Sequence, residues 1–434
     1  MATQLPRLLV FLVIGLLIGT GVTYAYMSSV MSTVYADLNA TIRNLNDKIA
    51  SLQAVINELN KTVEYKIGVT LPLTGELADV GVQWKTVVEM AIEDLNAEMK
   101  RYGIRAKFTA VIHDDKTLPT EALVAVQTLH QMGIKVIIGP AASSQVKAVK
   151  SYADDNKIVI ISPSSTSPTL AIPNDYIFRT VGSDAGQSKA LAALVKSQGI
   201  NKVIVFHRDD EYGVAFESFF EREFSALGGT AIGMKYASGL ADYASEVAQL
   251  KAKAMQENVE GIVMITFDTD GVNILSHASR DPFLSSLRWF SSEGVHGAKG
   301  LLEENIANFI KVTGLLGTRP LFRENPLLQD FSARYKARTG HDPPVFSANL
   351  YDAVMLAGWA IIRAGKYEGE AIRTALVEVA SRYYGPSGLT MFDENGDKLL
   401  QDYSIWTVKF SEQEQKYVYV DVGSYSAGII TIEE

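Results

Sequence analysis

Five hydroxyl side chains stand at the ends of two apolar runs. The first run reads Ile137-Ile138-Gly139-Pro140-Ala141-Ala142-Ser143-Ser144, and the second reads Val159-Ile160-Ile161-Ser162-Pro163-Ser164-Ser165-Thr166. Ser143, Ser144, Ser164, Ser165 and Thr166 present O–H groups, together with the backbone N–H groups of their turns, to a small anion. A carboxylate suits such donors well. Ser and Pro also serve simply to make turns, and one such turn alone would carry no more than that. Two turns at equivalent ends of neighbouring strands point to a ligand site.

Reaction chemistry leaves no mark on the chain. It contains no GxSxG, P-loop, GxGxxG or HExxH pattern. His113, His130, His207, His277, His296 and His341 lack the spacing of metal ligands, so they are expected to be surface or structural. The absence of cysteine excludes disulfides, thiolate nucleophiles and a lipid-modified cysteine anchor. Asp393-Glu394-Asn395-Gly396-Asp397 lacks the spacing and final glutamate of a calcium loop and is expected to be a tight turn. The net charge of −9 argues against a nucleic-acid partner. The sequence therefore implies no catalytic residue, metal or cofactor: a binding protein, not an enzyme.

The elements that position the two turns follow from the surrounding pattern. Apolar runs of this kind fit strands buried on both faces of a parallel sheet, whose carboxyl ends border the crevice where ligands bind. Strands are expected at 66–73, 106–112, 134–139 and 157–162, and again at 201–207, 230–236, 259–266 and 287–291. Helical stretches near 81–102, 119–132, 145–155, 186–198, 212–227, 242–257 and 270–280 separate them, which is the βαβ alternation of parallel sheets. Extended crossovers are expected at 176–180 and around 310–320. Helices resume near 326–339 and 346–364, and 403–434 is strand-rich. At 434 residues the chain exceeds one ordinary core. The fold class is α/β, with two Rossmann-like lobes joined by three crossovers: 65–181 plus 319–385, and 182–318 plus 386–434. Such a hinged pair closes on a ligand.

Ahead of the lobes, Leu8 to Met27 is uncharged and long enough to cross a bilayer. Arg7 precedes it and the next basic residue is Arg43, which places the N-terminus in the cytoplasm and the remainder outside. Thr23-Tyr24-Ala25 offers a signal-peptidase site as the alternative. From 31 to 63 a heptad seam follows: Leu38, Ile42, Leu45, Ile49, Leu52, Ile56, Leu59 and Val63. Ile or Val alternating with Leu favours a parallel two-stranded coiled coil, and Gly15 and Gly19 give the span a small-xxx-small pair. A dimerising stalk joined to the span argues that the span is retained. The sequons at Asn39 and Asn60 flank the seam and are accessible to glycosylation outside the cell.

Read in order, several short motifs resemble the type I periplasmic binding proteins of the leucine/isoleucine/valine-binding class. They are Ile67-Gly68-Val69 with Leu73-Thr74-Gly75, Ala91-Ile92-Glu93-Asp94-Leu95-Asn96, His113-Asp114-Asp115 and Ile137-Ile138-Gly139-Pro140. Further on come Ile161-Ser162-Pro163, Phe178-Arg179-Thr180, Glu211-Tyr212-Gly213, Ser292-Glu293-Gly294 and Phe392-Asp393-Glu394-Asn395-Gly396-Asp397. The resemblance implies that Ser143 binds a ligand carboxylate and that Ser164 and Thr166 hold carboxylate and amino group. It also implies that Tyr212 closes over the ligand and that Glu293 pairs with its ammonium. The side-chain pocket departs from the branched-chain pattern, with Val80, Ala141 and Ala142 in place of bulk and Phe267-Asp268 ending a strand. This suggests a larger or more polar ligand than leucine, with Asp268 as a further acid at the site; the alternative is that Asp268 joins Glu293 in binding the ammonium. The implied role is an extracellular solute-binding protein that delivers an amino acid to the permease of an ABC importer. The rival is a sensor ectodomain, taking an amide or peptide, that acts through a partner membrane protein.

Overall fold

The computed structural model describes residues 5–433; Met1–Gln4, Glu434 (the expected end of the second lobe) and the side chains of Glu58 and Leu59 lie outside the described residues. The seam position expected at Leu59 therefore has no structural account. The chain divides into two units, Met1–Val63 and Glu64–Glu434.

The first unit is one helix, α1 (Leu5–Leu59), exposed at every described side chain. Its apolar stretch is long enough to cross a membrane. Within that stretch Thr20 Oγ1 donates to the Leu16 carbonyl at 2.8 Å and Thr23 Oγ1 to the Gly19 carbonyl at 2.6 Å. Both hydroxyls are thus satisfied without water, as an apolar surrounding requires. The seam residues Leu38, Ile42, Leu45, Ile49, Leu52 and Ile56 are all exposed. The helix ends short of the expected stalk limit. Val63 already belongs to a strand, so it cannot serve as the last seam position.

From the last residue of the first unit the chain enters β1 (Val63–Leu71), then α2 (Ala78–Arg101), β2 (Ala106–Asp114), α3 (Pro119–Gln131), β3 (Val136–Ile138), α4 (Ser143–Asp155), β4 (Val159–Ser162) and β5 (Ile177–Arg179). The strands form one sheet in the order β2-β1-β3-β4-β5, with β1, β3, β4 and β5 parallel. Next come α5 (Asp184–Ser197), β6 (Lys202–Arg208), α6 (Glu211–Ala226), β7 (Thr230–Tyr236), α7 (Ala244–Glu257), β8 (Gly261–Ile265), α8 (Asp268–Ala278), β9 (Arg288–Ser291), α9 (Glu304–Thr313) and β10 (Leu316–Leu321). The chain then returns through α10 (Pro326–Thr339), α11 (Ser347–Ala364), α12 (Gly369–Ala380) and a small hairpin, β11 (Tyr384–Gly385) with β12 (Gly388–Leu389). It finishes as β13 (Asp402–Ser411), β14 (Lys416–Ser426) and β15 (Ile429–Ile432). These last strands extend the second sheet antiparallel, giving the order β15-β14-β13-β10-β9-β8-β6-β7. The architecture is α/β with two sheets.

The central strands are buried on both faces because they are apolar at every position: Val136 to Ile138, Val159 to Ile161 and Ile262 to Ile265 are all fully buried. One core joins α2 and α11 to the first sheet and takes in Phe331, Tyr335, Ile372 and Phe392. Separate cores cover the faces of the second sheet.

Three sequence expectations move. The extended crossover expected around 310–320 is instead the end of α9 followed by β10, and β10 is a full member of the second sheet, paired with β9 and β13. The expected boundary at 318/319 therefore falls inside a strand. The boundary expected at 385/386 comes too early, since Phe392 still packs in the first core, 5.2 Å from the ring of Phe178. Periodicity also left α12 without an assignment. Asp393 to Asp397 does form a tight turn, with Asp393 Oδ1 accepting from the N–H groups of Asn395 and Asp397.

Candidate functional site

The first hydroxyl turn is built by the end of β3. Gly139 sits at φ +88°, and a Cβ there would lie 2.3 Å from the Thr70 carbonyl oxygen; only glycine lets the chain pass so close. After it the chain enters α4 with Ser143 as first residue. The first-turn N–H groups of a helix lack intrahelical acceptors and carry its positive end, so they favour an anion. The turn is fixed from below: the Ala142 N–H donates to Gln145 Oε1 at 3.0 Å, and Gln145 Nε2 donates to buried Asp115 at 2.8 Å.

The second turn is stitched to the first. Ser143 Oγ accepts from the Ser167 N–H at 3.2 Å, and Ser164 Oγ donates to the Ala141 carbonyl at 2.9 Å. Ser143 thus keeps its own O–H to donate elsewhere. Behind the turn lies buried Arg179, whose Nη1 donates to the carbonyls of Ser165 and Ser167 at 3.2 and 2.7 Å. Its Nε donates to Asp397 at 2.5 Å. Sequence reading took Arg179 and Asp397 only as family markers; the structure makes them a buried clamp that sets the shape of the turn.

The facing wall comes from the second lobe. Asp210 caps α6, accepting from the N–H groups of Tyr212 and Gly213. This aims Tyr212 at Glu293: its O–H donates to Glu293 Oε1 at 3.2 Å and shares a bond with Ser292 Oγ at 2.7 Å. The Tyr212 ring stacks on Phe267 with centroids 5.4 Å apart, and the Arg208 guanidinium lies 3.7 Å over the Phe267 ring. Arg208 itself is held by Asp210, Asp270 and, from the first lobe, Glu76 at 2.7 Å. Lys147 on α4 meets Glu211 on α6 at 2.5 Å, a second bridge between the lobes.

Glu293 is 4% exposed. Its other oxygen accepts from Gln187 Nε2 at 2.5 Å. Burial pushes its carboxyl up from the usual range, and the bonds from its own turn, Gln187 and Tyr212 offset only part of that. Asp184, fully buried at the start of α5, is raised further, by burial and then by the charge of Glu293. Among the described residues no Lys or Arg forms an ion pair with Glu293. A buried carboxylate held only by neutral donors is costly.

Ser143, Ser164, Thr166, Tyr212, Asp268 and Glu293, singled out from the sequence, all line one cavity between the lobes, of about 790 Å³ including its mouth. Ser144 and Ser165 do not line it. The side-chain end is less bare than Val80, Ala141 and Ala142 suggested, because Trp84 and Phe346 also form its wall. Neither had a sequence signal. Trp84 reads as an ordinary buried position of an amphipathic helix, and Phe346 adopts φ +62°, which its sequence does not announce.

Comparison with known proteins agrees with this fold. The family described as "receptor family ligand binding region" matches residues 83–411, three quarters of the chain. An uncharacterized protein of Methanocaldococcus jannaschii is 28% identical over 363 residues, 79% of this chain and 86% of its own length. A leucine-, isoleucine-, valine-, threonine- and alanine-binding protein of Pseudomonas aeruginosa is 25% identical over 346 residues, 79% of this chain and 89% of its own. Among solved structures, a leucine binding protein of Thermotoga maritima superposes with a TM-score of 0.69 at 24% identity, covering 83% of this chain and 99% of that one. The chain belongs to the receptor ligand-binding-region family and, within it, to the type I periplasmic binding protein class.

Proposed function

We propose that this protein is an extracellular solute-binding protein that takes an amino acid into the inter-lobe cavity and delivers it to the permease of an ABC importer. The observation that carries this is the buried Glu293 carboxylate, bound only by neutral donors, facing two hydroxyl turns and a helix N-terminus across one cavity. A zwitterion satisfies both walls at once. Its carboxylate meets the free Ser143 hydroxyl, Thr166, the backbone N–H groups of the turn at Ser164 and the first turn of α4, while its ammonium meets Glu293 under the ring of Tyr212. Charge-assisted bonds in a desolvated cleft are the strong ones. The relatives named for branched-chain amino acids support this ligand class.

On the same reading, Leu8 to Met27 anchors the protein in the membrane, with the N-terminus cytoplasmic. The exposed seam from Leu38 to Ile56 pairs with a second copy as a parallel coiled coil. Cross-linking the full-length protein in mild detergent tests the pairing: a dimer lost on Leu45→Asp agrees, and a monomer at all concentrations contradicts it. A sensor role is favoured by one observation, the receptor description of the matching family. Reconstitution with a candidate permease and its ATPase separates the two, since ligand-stimulated ATP hydrolysis is expected of an importer and not of a sensor.

A further inference from the structure

We propose that the far end of the cavity selects a ligand whose side chain carries a second positive charge, held between Asp79 of the first lobe and Asp268 of the second. This rests on the amino-acid reading given above and narrows it to the basic amino acids.

Two helices begin at this end from opposite lobes, α2 with Asp79 in its first turn and α8 with Asp268 as its first residue. Both acids line the cavity, Asp79 exposed and Asp268 half-buried. An acid in a first turn ordinarily offsets the helix dipole, and a capping role is the ordinary explanation for Asp268. That role is already filled, because Asp270 accepts from the N–H groups of Phe267 and Gly271 at 2.8 and 3.2 Å. The Asp268 carboxylate accepts no hydrogen bond and forms no ion pair among the described residues. Instead, burial and then the charges of Asp79 and Asp270 push its carboxyl up to about 7, the opposite of what a stabilising cap does.

The neighbouring groups do not relieve this. Arg208 is taken up by Asp210, Asp270 and Glu76. Lys299 lines the cavity but is exposed and forms no ion pair with either acid among the described residues. Burial lowers His296 well below its usual range, keeping it neutral, and the Tyr419 hydroxyl donates to the Ala298 carbonyl at 2.7 Å. Gln83 Nε2 donates to the Asp79 carbonyl at 2.8 Å, leaving its oxygen as an acceptor. The far end is therefore rich in acceptors and negative charge, while Trp84 and Phe346 supply apolar walls for a methylene stem. An ammonium or guanidinium on such a stem fits all three features.

The test is calorimetric titration of the full-length protein in detergent with lysine, arginine and ornithine, against norleucine, which matches the lysine stem without its charge. Lysine or arginine is expected to bind at least tenfold tighter than norleucine. Asp268→Asn and Asp79→Asn should each remove most of that advantage, bringing the ratio of lysine to norleucine affinity to within about threefold of one. Equal or tighter binding of norleucine or leucine by the wild type overturns the inference and leaves the amino-acid reading standing. A folded protein that binds neither these nor alanine overturns both.

Discussion

At the scale of the residue, the cavity sets a buried acid on one wall against neutral hydroxyl and N–H donors on the other, and the buried acids should report it. Replacing Glu293 with Gln keeps the shape and both hydrogen-bonding neighbours but removes the charge. Losing one partner of a buried charged pair costs about 2–5 kcal/mol, so amino-acid affinity should fall well over tenfold; unchanged affinity by calorimetry would exclude an ammonium at Glu293. Asp268 gives a second readout, through pH. Its folded-state pKa, raised to about 7 from 3.8, lies above the unfolded one. Between those values the folded protein holds a proton that the unfolded chain has released. Stability from this group is therefore present at low pH and lost as pH rises toward 7. Melting of the ligand-free protein should show Asp268→Asn gaining on the wild type between pH 5 and 8, by about 1–1.5 °C for each kcal/mol regained in a unit of this size. A difference that does not change with pH would mean that Asp268 titrates as an ordinary surface acid.

At the scale of the element, the second hydroxyl turn depends on a clamp that does not line the cavity. Arg179 in β5 ties the carbonyls of Ser165 and Ser167 to Asp397 in the returning chain. Removing one partner of such a buried pair destabilises by about 3–5 kcal/mol. Asp397→Asn is expected to lower the melting temperature and to weaken ligand binding together, while the surface variant Lys336→Ala should change neither. A variant of normal affinity would show that the turn holds its shape without the clamp. Here the limits of sequence reading have a physical basis. Long apolar runs and the hydroxyl turns after Ile138 and Ile161 are local patterns, so the parallel strands and part of the cavity lining were legible. The clamp joins residues 218 positions apart, and Trp84 and Phe346 reach the cavity through tertiary packing, so neither left a periodic trace. The stretch at 310–320 misled because β10, though an ordinary strand, leads directly into the crossover. Val63 misled because seam spacing continues into a residue that the strand ladder claims.

At the scale of the whole second unit, the lobes touch along the cleft through Arg208 with Glu76 and Lys147 with Glu211. These contacts bias the molecule toward closure, and a ligand bridging the walls adds to the same equilibrium. Arg208 keeps Asp210 and Asp270 when Glu76 is lost, so the effect should be modest. Glu76→Gln is expected to weaken binding about two- to fivefold, in line with the ~0.2–1 kcal/mol of a partly exposed bridge, mainly through faster release. An unchanged dissociation rate in stopped flow would separate this bridge from closure.

Binding of an amino acid as a zwitterion in the cavity between the lobes underlies every role proposed above. It is tested most directly by calorimetric titration of the full-length protein in detergent, freed of carried ligand by unfolding and refolding, with the common amino acids. Micromolar or tighter binding, about −8 kcal/mol or better, is expected for one class of them, weakened more than tenfold in Glu293→Gln. Silence across the panel from a folded protein, or equal binding by Glu293→Gln, would contradict it.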